Sequence, residues 1–102
     1  MSVLTVTKDN FEKDVLSSEK KVLIDFFASW CGPCKTLSPI IEEIAKEHPE
    51  YLVGKINIDE QPALAEKYRI MSVPTLVVFE NGKEVKRAGG VAPKEALLGM
   101  ML

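Results

Sequence analysis

The stretch Val22-Leu23-Ile24-Asp25-Phe26-Phe27-Ala28-Ser29-Trp30-Cys31-Gly32-Pro33-Cys34-Lys35-Thr36-Leu37-Ser38-Pro39-Ile40-Ile41 decides how the chain is read. Its first half, Lys21 to Ala28, is a near-continuous apolar run, the pattern of a strand covered on both faces. Its second half changes period. Leu37, Ile40, Ile41, Ile44 and Ala45 recur at helical spacing, which predicts a helix from near Pro33 to about His48. Pro33 suits the first turn, where a missing N–H costs nothing. Pro39 falls inside the helix, where it removes a backbone bond and is expected to kink the axis. Pro49 blocks continuation. Both cysteines of the chain stand at the joint between strand and helix.

Working outward, Val3 to Val6 reads as a short edge strand. Thr7 or Asp9 is a candidate cap for a helix ending near Leu16, with Phe11, Val15 and Leu16 on one face. Leu52 to Ile58 is a strand and Gln61 to Tyr68 a short helix. Thr75 to Glu80 and Lys83 to Ala88 form a hairpin through Asn81-Gly82, and Pro93 to Met101 is a last helix. Helices between the early strands imply parallel crossovers, and the late hairpin implies an antiparallel edge. The expected fold is α/β, a mixed central sheet of about five strands with about four helices on both faces.

The 102 residues fit a single domain spanning 1–102. A hydrophobic share of 46% with 27% charged residues is that of a globular chain rather than a disordered one. Thirteen basic and fifteen acidic residues leave a net charge of −2, and no basic block marks a nucleic-acid footprint. No apolar run is long enough to span a bilayer. Met1 to Thr7 lacks the basic-then-apolar pattern of a secretory leader, so the expected location is the cytoplasm. A monomer is the default.

A disulfide between Cys31 and Cys34 closes a tiny loop and restrains the unfolded chain weakly, so the pair calls for a chemical explanation. Cys31 precedes the first helical turn, where unpaired N–H groups and the helix dipole favour a negative charge. A thiolate at Cys31 is therefore expected to form more readily than in a free cysteine, and the thiolate is the species that attacks a disulfide. Cys34 lies about one turn further on, within reach of the Cys31 sulfur. A structural zinc site needs four ligands, whereas the chain offers these two cysteines and one distant histidine, His48, so no metal is expected. Asp25 is the sole charge in the run Val22–Phe27, and a carboxyl there is expected to be desolvated with a raised pKa. The bland alternative is an Asp25 pointing outward from a sheet edge.

With these residues in view, Trp30-Cys31-Gly32-Pro33-Cys34-Lys35 resembles the signature of the thioredoxin family, and further positions match along essentially the whole chain. The resemblance implies a thioredoxin fold and a dithiol/disulfide oxidoreductase whose only redox group is the Cys31–Cys34 pair. It implies that Asp25 relays a proton for Cys34 with Lys55 beside it. Lys55 also fits an ordinary solvated strand lysine. Ser72-Val73-Pro74-Thr75 resembles the family's cis-proline loop, which would leave the Val73 backbone free for a substrate segment. Gly89-Gly90 resembles its groove glycine without fixing which of the two corresponds. Trp30, Gly32, Pro33, Val73, Pro74, Gly89, Gly90 and Val91 are the implied substrate surface.

Two departures stand out: Phe27, where many members carry tryptophan, and the apolar run Leu97 to Leu102. The implied partners are thioredoxin reductase and disulfide substrates such as ribonucleotide reductase, peroxiredoxins and methionine sulfoxide reductases, with no nucleic acid and no membrane. Two other uses of such a chain remain open, as a disulfide oxidase or isomerase and as a non-enzymatic binding scaffold.

Overall fold

The computed structural model describes residues 3–102, so the reading of the extreme N-terminus at Met1 and Ser2 lies outside the described residues. Five strands, β1 (Leu4–Thr5), β2 (Val22–Phe27), β3 (Leu52–Asn57), β4 (Thr75–Glu80) and β5 (Lys83–Gly89), form one sheet in the order β1-β3-β2-β4-β5. The apolar run of β2 thus lies at the centre. It runs parallel to β3, as the crossover through the Gly32–Glu47 helix implies, and antiparallel to β4, so the expectation of parallel crossovers fails at the Pro62–Lys67 helix, which joins β3 to a strand of opposite direction. Asn81 and Gly82 turn the β4–β5 hairpin with φ of 55° and 81°, the left-handed pair that a tight hairpin turn demands.

Among the described residues three α-helices, α1 (Gly32–Glu47), α2 (Pro62–Lys67) and α3 (Lys94–Met100), and one π-helical turn at Phe11–Leu16 cover the sheet. The side-chain alternation of β2 divides the core. Leu23 faces a cluster with Leu37, Ile41 and Ile44 of α1 and Leu97 of α3. Val22, Ile24 and Phe26 face the other way, onto Phe11, Val15, Leu64 and Phe79. Each fully buried aliphatic or aromatic side chain contributes about 1.5–3 kcal/mol of transfer free energy. The C-terminal run also finds its reason here: Leu97 and Met101 are buried against the α1 side, and Leu98 and Met100 pack on them.

The expected start of the first helix needs correction. Neither Thr7 nor Asp9 caps a first helix. That segment begins at Phe11 behind Asn10 with no side-chain cap, because the Asn10 carboxamide accepts from Thr7 N–H at 2.8 Å and Thr7 Oγ1 accepts from Asp9 N–H. Side chains here close a local turn in place of capping a helix. The long helix runs from Gly32 to Glu47, as expected, with Pro39 inside it.

Candidate functional site

The redox pair sits where β2 delivers the chain to α1. Cys31 is the N-cap of α1, with extended φ and ψ of −90° and 114°. Its sulfur occupies the position of a capping oxygen and accepts the Cys34 backbone N–H at 3.1 Å. One first-turn N–H, that of Cys34, thus points at this sulfur, and Pro33 in the same turn has no N–H to satisfy. Cys31 and Cys34 form a disulfide with Cα atoms 5.3 Å apart. Both are buried, under Ala28, Phe27 and Val73. Gly32 and Pro33 between them are exposed.

A second segment crosses this sulfur. The Val73 carbonyl oxygen lies 3.7 Å from Cys31 Sγ, and the Val73–Pro74 peptide bond is cis. Ser72 carbonyl accepts the Thr75 hydroxyl at 2.7 Å, which satisfies a buried polar group at the start of β4. On the other side, Gly90 N–H donates to Pro74 carbonyl at 3.0 Å. The two adjacent glycines differ in role. Gly89 ends β5 opposite Thr75, whereas Gly90 adopts φ of 83°, the conformation that favours glycine. Val91, Met71 and Trp30, at 46%, 91% and 69% exposure, place apolar surface beside Gly90, on the Val73 loop and next to Cys31 in the chain.

Beneath Cys34 lies a cleft of about 230 Å³ lined by Asp25, Phe27, Ala28, Ser29, Lys35, Ser38 and Lys55 with Cys34 itself. Strand alternation carries Asp25 there. It shares the face of Leu23, the α1 side, and its register partner Lys55 shares the face of Val53. Asp25 is 4% exposed on the central strand, so it does not point outward from an edge. Its Oδ1 accepts no hydrogen bond from the described residues. Burial pushes its carboxyl up from 3.8 to about 7, against the opposing pull of the Lys55 charge. The Lys55 ammonium also stands 6.0 Å from the centroid of the Phe27 ring.

One residue of the site escaped sequence reasoning. Asp59 accepts a hydrogen bond from Trp30 Nε1 at 2.8 Å. Its own N–H is held by the Asn57 side chain at 2.9 Å, and Asn57 Nδ2 donates to Ser29 Oγ. An Asx turn after a strand was legible at Asn57, but which aromatic it would face was not. His48 sits at the far end of α1, paired with Glu50. Among the described residues no group of three His, Cys, Asp or Glu side chains is placed to hold a metal.

The family model for Thioredoxin matches residues 2–102. The chain belongs to the thioredoxin family. It is 52% identical over 93 residues to a thioredoxin of Streptomyces clavuligerus, covering 91% of this chain and 87% of that one. It is 46% identical over 99 residues to a thioredoxin of Chlamydia caviae, covering 97% and 95%. A bifunctional thioredoxin reductase/thioredoxin of Mycobacterium leprae is 47% identical over 93% of this chain, which spans 21% of that protein. As a thioredoxin-family member with a Cys31–Cys34 disulfide at the head of α1, the chain is a dithiol/disulfide oxidoreductase.

Proposed function

We propose that this thioredoxin-family chain works in the reducing direction, as a general protein-disulfide reductase recharged by a thioredoxin reductase. The observation that carries the reading is the Cys31 sulfur seated as the cap of α1, accepting Cys34 N–H, with the Val73 backbone alongside. In the reduced protein the same Cys34 N–H and the positive end of the α1 dipole stabilise a Cys31 thiolate.

That thiolate attacks one sulfur of a substrate disulfide. A Cys31–substrate disulfide forms, the substrate S–S bond breaks, and the departing substrate thiolate takes a proton from solvent. Cys34 then gives its proton to Asp25, which Lys55 keeps partly ionised near neutrality, and attacks Cys31 Sγ. The Cys31–Cys34 bond forms and the second substrate thiolate leaves. Two electrons have passed to substrate, and the reductase returns them.

Substrate docks as an extended segment against the Val73 backbone, between Trp30, Gly32 and Pro33 on one side and Pro74, Gly89, Gly90 and Val91 on the other. Such recognition by backbone and shape suits many partners, among them ribonucleotide reductase, peroxiredoxins and methionine sulfoxide reductases. The joined reductase and thioredoxin named in the Mycobacterium leprae relative support a reductase partner. We place the chain, as a monomer needing no cofactor beyond its own disulfide, in the reducing cytoplasm.

Insulin reduction with a thioredoxin reductase tests the reading. Cys31→Ser abolishes turnover, and Cys34→Ser accumulates a mixed disulfide. A titration against glutathione yields a potential near the reducing end of the family range, about −270 mV. A potential near −120 mV, or full biological activity in both serine variants, overturns it.

A further inference from the structure

Arg87 lies on β5, outside the site described above, yet its side chain reaches the root of the loop that carries Val73. Nη2 donates to Tyr68 carbonyl at 2.6 Å and Nη1 to Arg69 carbonyl at 3.3 Å. The same guanidinium is held from behind by Glu84, with Nε to Oε2 at 2.7 Å and Nη2 to Oε1 at 2.9 Å.

This fork depends on an irregularity in the hairpin. Residues three apart on a regular strand point to opposite faces. Here the β4–β5 register slips at Val78/Phe79, with Phe79 opposite Glu84 and Val78 opposite Lys86, so Val85 is the extra residue. The bulge brings Glu84 and Arg87 onto one face. Arg87 stands opposite Val77, whose side chain belongs to the α2 side of the core, so the guanidinium projects toward the end of α2.

The end of α2 is a demanding place. Arg69 N–H donates to Glu66 carbonyl and Ile70 N–H to Ala65 carbonyl, the paired bonds of a left-handed helix stop. That geometry favours glycine, but the residue is Arg69, with φ of 53°. A strained residue persists where its surroundings over-determine it. The Arg87 fork supplies that constraint, and its positive charge also suits a helix C-terminus. From Arg69 the chain has only Ile70, Met71 and Ser72 before Val73, whose carbonyl lies beside Cys31 Sγ. Met71 is nearly fully exposed, so little packing holds the loop from outside.

We propose that Arg87, braced by Glu84, is a positioning residue for protein substrates: it fixes the C-terminal end of α2 and thereby the Val73 backbone on which the substrate segment pairs. The inference rests on the substrate-docking reading given under Proposed function. It predicts that loss of the fork harms reduction of protein disulfides and spares small disulfides, which need the Cys31 sulfur but no strand pairing.

The test uses pre-reduced protein, without a reductase, in single-turnover reactions with insulin and with a small aromatic disulfide. Arg87→Ala lowers the second-order rate for insulin about three- to tenfold, the scale of one lost hydrogen bond, and leaves the small disulfide rate unchanged. Arg87→Lys keeps the charge without the planar fork and falls nearly as far. Glu84→Gln weakens the brace and falls less, and it carries the test together with Arg87→Lys if Arg87→Ala does not fold.

A folded variant with an unchanged insulin rate overturns the proposal, as does an equal fall for both substrates, which reports a perturbed thiol. Failure of the docking reading itself looks different: the unsubstituted protein then reduces the small disulfide and leaves insulin intact.

Discussion

Asp25 and Lys55 stand directly opposite one another on the parallel strands β2 and β3, both turned to the face that α1 covers, with Cys34 on the rim of the cleft they line. Burial holds the Asp25 carboxyl near 7 in the folded protein against 3.8 as its ordinary value. The native state therefore binds this proton more tightly than the unfolded chain does. The cost to stability is absent below the unfolded value, grows as pH rises from about 4, and is complete above about 7. Asp25→Asn removes it. Denaturant melts are expected to show the variant more stable at pH 8 by up to about 4 kcal/mol, a ceiling that follows from about 1.4 kcal/mol for each tenfold change in proton affinity. The gain disappears toward pH 4. The proposed proton relay adds that insulin reduction slows in the same variant, a carboxamide being unable to take the Cys34 proton.

Lys55 works against burial. Its charge lowers an Asp25 pKa that burial raises. Lys55→Met is expected to move the carboxyl titration, followed by NMR at Asp25, upward from about 7. A titration that stays in place means that the ammonium is screened from Asp25 and that Lys55 is an ordinary strand lysine.

The Trp30–Asp59 hydrogen bond ties the residue before Cys31 to the loop after β3. Trp30 is the single tryptophan, so its fluorescence reports this contact without interference. Asp59→Ala is expected to increase local indole mobility, read as a faster anisotropy decay. Global stability changes by no more than about 0.5 kcal/mol, as is usual for an exposed site.

Two left-handed residues invite opposite substitutions. Gly90→Ala puts a side chain at φ of 83° beside Pro74, which is expected to cost about 1–2 kcal/mol in thermal or denaturant melts. Arg69→Gly relieves a side chain already at φ of 53°, with an expected gain of up to about 1 kcal/mol. A loss on Arg69→Gly means that unfolded-state entropy outweighs the strain.

The order of elements, the two-sided burial of the Val22–Phe27 run and the placement of both cysteines at a helix entrance were legible in local pattern. Apolar period and the punctuation of Pro and Gly act within a few residues along the chain. The first helix was misread at its start because Thr7, Asp9 and Asn10 all compete to bond the same short backbone, and chain neighbours alone do not rank them. Asp59 and Arg87 were missed for a different reason. Each acts on a partner many residues away, Trp30 in one case and the end of α2 in the other.

By itself the amino-acid order determined that a sulfur would begin a helix, that a lone carboxyl would enter an apolar strand, and that the sheet would be mixed. Each of these follows from periodicity and from the chemistry of adjacent residues. The family resemblance had already set Lys55 near Asp25 and the Val73-Pro74 loop at the cysteines; only the tertiary structure decided that Lys55 is the register partner of Asp25, that Gly90 rather than Gly89 takes the left-handed turn, and that a bulge at Val85 aims Arg87 at α2. Strand register and loop docking are settled by side chains packing across the sheet, and a slip of one residue reverses every face.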